Sequence, residues 1–165
     1  MKTRILLLPL LAVGLATAWT PGFAAGAGRP FQGLKLSPEV LNLLRAEMRG
    51  ISAGVQGMSL SIATGDWKSI QQISHNIRAS YIMEKKLTPA QAQELKTALP
   101  ARFKRLDAEF HERAGKLAAA AAAHDAERVT FQYSRLLESC AVCHSEFARS
   151  RFPGFKPLAG GTHGH

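Results

Sequence analysis

The two cysteines of this chain stand three residues apart with a histidine directly after the second, in Cys140-Ala141-Val142-Cys143-His144. C-x-x-C-H is the arrangement of covalent c-type haem attachment. On a helix, that spacing brings both thiols to one side, where each can add to a haem vinyl group as a thioether. The adjacent histidine can then offer an imidazole nitrogen to the iron. Two cysteines placed at random in 165 residues would fall three apart, with histidine next, on the order of one time in a thousand or less. Two other chemistries use a C-x-x-C pair, and each needs a context that is missing. A thioredoxin-like redox pair belongs beside a βαβ pattern, and half of a zinc site belongs with a second cysteine pair.

Covalent haem attachment of this kind takes place outside the cytoplasm, and the N-terminus reads accordingly. Lys2 and Arg4 precede an apolar run from Ile5 to Ala18, followed by small residues around Ala24, Ala25 and Ala27. The run is shorter than the roughly 20 residues of a membrane-spanning helix, so residues 1–25 are expected to be a removable signal peptide, leaving no stable membrane anchor. Beyond residue 25 the chain keeps 19 basic against 12 acidic residues, a net charge near +7 with neutral histidines. Such a surface suits acidic redox partner proteins or a membrane surface, and no stripe of interleaved basic and aromatic residues points to nucleic acid.

The elements that must carry the motif are all helical, at 46% hydrophobic and 20% charged composition. After a linker over 26–36, Ser37-Pro38-Glu39 is a helix start. Leu41, Leu44, Met48, Ile51, Val55, Met58 and Ile62 then recur at alternating spacings of three and four, the seam of a bundle helix. Gly65 closes it and Asp66 starts a second helix from Trp67 to about Lys85, with Ile70, Ile73, Ile77 and Tyr81 on one face. Thr88-Pro89-Ala90-Gln91 opens a third, which Pro100 divides in two. Its main piece carries Phe103, Leu106, Phe110, Ala114 and Leu117 into the alanine tract 118–123, and His124-Asp125 is the last turn. The fourth helix, Ala126 to about Arg149, aligns Val129, Tyr133, Leu136, Cys140, Cys143 and Phe147. The expected fold is all-α, an up-down-up-down four-helix bundle over 37–157 with covalently bound haem, followed by a disordered tail over 158–165.

With His144 on one side of the iron, the other axial position separates electron carrier from gas binder. Met48 and Met58 both sit on the inward stripe of the first helix, and a thioether suits haem iron. In an antiparallel pair, His144 lies roughly 8 Å from the end of the fourth helix, Met48 about 15 Å into the first and Met58 about 30 Å in. Met48 is therefore the expected second ligand, and Met58 core filler. His75 falls off the inward stripe and His111 at its flank. Arg45, one turn before Met48, can reach a haem propionate with its guanidinium fork. Gly50, Gly54, Gly57 and Ser61 make a small-residue side of the first helix, suited to close contact within the chain or to a homodimer.

A signal peptide, four bundle helices and C-x-x-C-H near the end of the last one resemble the class II c-type cytochromes, the group containing cytochrome c′ and its low-spin relatives. The resemblance spans Leu36 to about Phe155, and Phe147 three residues after His144 is similar to the family pattern. A basic residue often follows that aromatic directly in the family; here Ala148 intervenes, so no propionate role is carried to Arg149. The resemblance implies one haem c and a periplasmic location. It also implies either of two functions. Low-spin members take a first-helix methionine as sixth ligand and carry single electrons, which agrees with Met48; cytochrome c′ leaves iron five-coordinate and binds nitric oxide or carbon monoxide. Neither is an enzyme in the usual sense.

Overall fold

The computed structural model describes residues 33–81 and 83–155, so the expected signal peptide and the tail over 158–165 lie outside the described residues. Among the described residues six helices follow in order: α1 (Pro38–Thr64), α2 (Trp67–Arg78), α3 (Met83–Lys86), α4 (Pro89–Ala98), α5 (Ala101–Ala122) and α6 (Ala126–Phe147). No strand occurs among the described residues. α1, α2, α5 and α6 are the four antiparallel bundle helices, with α3 and α4 in the connection between the second and third. None of the helices described is long and apolar enough to cross a membrane.

Local signals account for most of the boundaries. The Ser37 hydroxyl accepts the Val40 N–H at 3.3 Å, and Pro38 occupies the first turn, where its missing donor costs nothing. At the other end Gly65 adopts φ +68° and returns its N–H to Ile62, a left-handed setting that favours glycine. Asp66 caps Ser69 and Asp125 caps Arg128. Thr88 and Gln91 exchange side chain and backbone in a complete capping box, and Pro100 separates α4 from α5 as expected.

The second helix stops earlier than its pattern suggests. It ends at Arg78, and Ser80 takes φ +55°. The cause is tertiary: the buried Glu47 carboxylate on α1 accepts the N–H groups of Tyr81 at 2.8 Å and Met83 at 3.2 Å. Backbone donors bound in this way at the head of α3 are unavailable to continue α2.

Met58, Ile70, Ile77, Leu117, Val129 and Leu136 are fully buried at the centre of the bundle. The alanine tract has a packing role here, since Ala118, Ala120 and Ala121, with Ala114 a turn earlier, are buried on α5, the helix that lies along both α2 and α6. Small side chains let it approach both neighbours. On α1, a Cβ at Gly54 would stand 2.6 Å from the Tyr81 hydroxyl and 3.0 Å from Ile73, so Tyr81 and Ile73 pack closely against the helix there.

Candidate functional site

Cys140, Cys143 and His144 occupy the last two turns of α6, and α5 holds that stretch in place. Phe103 packs edge-on against Phe147 at 5.3 Å between ring centroids. Arg102 pairs with Glu146 at 2.9 Å. Deeper in, the Arg113 guanidinium donates to the Arg135 carbonyl and, at 2.8 Å, to the Ser139 hydroxyl one residue before the first cysteine. The motif therefore sits on a braced helix rather than on a loop.

Both cysteines are free thiols and partly buried, and the Cys140 thiol donates to the Leu136 carbonyl at 3.5 Å. Burial pushes both thiols up, Cys143 to about 11 with the nearby Asp107 and Glu146 carboxylates adding to the effect. They remain protonated near neutral pH. Burial pushes His144 the other way, below the usual imidazole range, with the Arg151 charge adding to it. It is accordingly a neutral imidazole with a lone pair to give. Among the described residues no three Cys, His, Asp or Glu side chains converge on a point that could hold a bare metal ion.

The opposite wall comes from α1, and one hydrogen bond sets its register. The Tyr133 hydroxyl of α6 donates to the Val55 carbonyl of α1 at 3.1 Å. Seven residues before Val55, Met48 lies about 20° from it around α1; eleven residues after Tyr133, His144 lies about 20° from it around α6. Both therefore sit on the faces by which the two helices meet. Measured from that bond, Met48 is about 10 Å and His144 about 16 Å along the bundle in the same direction. Side chains lean toward the N-terminus of their own helix, and in an antiparallel pair this narrows the remaining gap of about 6 Å. Met48 is 38% exposed while its neighbours Glu47 and Ile51 are buried, so the thioether is not committed to the core. Met58 is completely buried and lies on the other side of Val55 from His144, so it fills the core.

The other expected residues fall into place around this seam. Arg45 is exposed one turn before Met48. His75 is exposed on α2. His111 bridges helices, its Nδ1 2.8 Å from the Ile77 carbonyl and its Nε2 3.6 Å from Asp107. His124 turns the chain at φ +53° and stacks on Trp67. Two contributions were not anticipated: Glu47 beside Met48, and Phe152 stacked on His144. The signals available for them were a carboxylate within an apolar helix and a Phe-Pro-Gly-Phe turn just beyond the motif.

Two neutral thiols on one face of a braced helix, a neutral imidazole beside them and a thioether on the facing helix form a donor set that suits haem c. The model of the Cytochrome C' family matches residues 37–148, from the α1 cap through α6. The chain belongs to the cytochrome c′ family. That match covers both walls of the seam and the whole C-x-x-C-H motif, and the family's haem c is covalently bound. Cys140 and Cys143 are the residues that would hold it here, with His144 as the axial donor beside them. No curated protein and no solved structure matched the chain.

Proposed function

We propose that this member of the family carries single electrons between redox partners, with haem c linked through Cys140 and Cys143 and the iron held between His144 and Met48. The observation that carries the reading is the register of α1 and α6, with Met48 and His144 on facing sides of one seam. Bound there, haem c supplies a one-electron centre. A soft thioether opposite an imidazole in a largely apolar surround favours the reduced iron.

Replacing Met48 with alanine in the haem-loaded protein tests this. The proposal expects conversion from a low-spin to a high-spin absorption spectrum, and an unchanged spectrum would refute it. Met58→Leu is the control: it lies in the core, so a roughly volume-conserving change should cost less than about 1.5 kcal/mol and leave the spin state alone.

The charge distribution supports an acidic redox partner. At the end of the bundle where α6 finishes, Lys35, Arg45, Arg49, Lys96, Arg102, Lys104, Arg105, Arg149 and Arg151 outnumber Glu39, Glu47, Glu94, Asp107, Glu109 and Glu146. The opposite end, around the turns at Gly65 and His124, balances Asp66, Asp125 and Glu127 against Lys68, Lys116 and Arg128. Electron transfer with such a partner should slow as ionic strength rises, and a rate independent of salt would exclude electrostatic docking. A periplasmic location follows from export by residues 1–25. N-terminal sequencing of the mature haem protein, expected to begin at Gly26, checks it.

A further inference from the structure

The chain beyond α6 folds back over the motif. The helix ends as Ala148 returns its N–H to His144, and the Ala148 carbonyl then accepts from Arg151 at 2.9 Å and Phe152 at 3.0 Å. A second turn follows through Pro153 and Gly154, closed by the Phe155 N–H on the Phe152 carbonyl at 3.2 Å. These turns lay the Phe152 ring on the His144 imidazole, with centroids 4.5 Å apart and planes 20° from parallel. Phe155 approaches the same imidazole edge-on at 6.5 Å and stands at 81° to Phe152. The Arg151 guanidinium lies 6.0 Å from the Phe152 centroid. Phe147, the aromatic within the helix, is engaged with Phe103 instead.

An imidazole presents two kinds of surface. Its faces are π clouds, and its ring nitrogens direct a lone pair or a proton in the ring plane. A phenyl ring stacked on a face leaves the in-plane lone pair clear, yet it obstructs rotation about the Cβ–Cγ bond, because turning the imidazole would drive its edge into the phenyl ring. Groups outside the set of direct ligands commonly orient a histidine through a hydrogen bond to its second nitrogen. Here a stacked ring, itself held by two backbone turns and by Phe155, stands in position to do so.

We propose that Phe152 is a positioning residue that fixes the rotational setting of the His144 imidazole, and through it the direction of the axial ligand plane at the haem iron. The inference rests on the reading of His144 as the axial ligand. The plane of an axial imidazole, together with the orientation of the second axial ligand, sets how unpaired spin is shared among the four pyrrole rings in ferric haem. Proton NMR shifts of the haem methyl groups report that sharing directly.

The test compares Phe152→Tyr, Phe152→Leu and Phe152→Ala in the ferric, haem-loaded protein. Tyrosine keeps the flat ring and should keep the wild-type order and spread of methyl shifts. Leucine fills the space without a flat face, so the imidazole samples more orientations, the spread contracts and the wild-type order is lost. Alanine should do the same more strongly. If alanine does not accumulate as haem protein, the leucine and tyrosine pair decides the matter. Wild-type order and spread in the leucine variant would overturn the proposal. His144→Ala separates the two ways of being wrong: a spectrum unaffected by it removes the axial ligand, and with it the proposal, whereas a spectrum changed by it beside an unchanged Phe152→Leu removes the positioning role alone.

Discussion

Gly50, Gly54 and Gly57 lie on one side of α1, and each forgoes about 1 kcal/mol of helix propensity relative to alanine. If propensity alone mattered, alanine would stabilise all three positions equally. Their neighbours differ, however. At Gly57 the nearest atom to an added Cβ is Ile73 Cδ1 at 4.0 Å, an ordinary contact, so Gly57→Ala should stabilise the bundle by about 1 kcal/mol, or about 4 °C in Tm. At Gly54 the same methyl would meet the Tyr81 hydroxyl at 2.6 Å and Ile73 Cγ2 at 3.0 Å. Neither yields easily. The Tyr81 ring already rests against Gly50, where a Cβ would come within 3.1 Å of it, and Ile73 is β-branched and stiff at χ1. Overpacking of this kind costs about 1–3 kcal/mol, which exceeds the propensity gain, so Gly54→Ala should lower stability by about 1 kcal/mol. Gly50→Ala should fall between the two. Thermal unfolding followed by circular dichroism, at equal haem loading, reads the order. Equal shifts of Gly54→Ala and Gly57→Ala in the same direction would refute the packing account of this face.

Substitutions at two further residues probe the supports of the site. Hydrogen bonding to Asp107 raises the His111 pKa above its ordinary value against the opposing effect of burial, with the Ile77 carbonyl adding to the rise. The stability this adds is complete below the unfolded value of about 6.5 and is lost as pH climbs through the higher folded value. The Tm deficit of His111→Gln should thus be larger at pH 5 than at pH 9, and a deficit independent of pH would contradict the charged bridge. Glu47→Ala leaves the Tyr81 and Met83 N–H groups without their acceptor and should cost about 2 kcal/mol in urea unfolding. Glu47→Gln retains one carbonyl oxygen and should cost less; equal losses would show that accepting these bonds is not what the side chain contributes.

Much of this architecture could be read from the chain because its signals are local. Ser37-Pro38, Gly65-Asp66, Thr88 with Gln91 and Pro100 each act within a few residues, and the helices begin or end beside them. The haem motif is local as well. The early end of α2 was not legible, since Arg78-Ala79-Ser80-Tyr81 contains neither glycine nor proline and the groups that stop the helix are bound by Glu47, more than thirty residues away. Met48 and Met58 share one stripe in sequence, and only the tertiary register separates the half-exposed thioether from the buried one. Phe152 reads in sequence as the end of a helical pattern, while its stacking on His144 depends on two turns that bring the chain back.

The most direct test of the central claim is the absorption spectrum of the purified, dithionite-reduced protein before and after carbon monoxide. With Met48 bound opposite His144, the spectrum should be sharp, low-spin and indifferent to the gas. A high-spin spectrum that shifts when carbon monoxide is added would contradict the account and identify a five-coordinate, gas-binding protein instead.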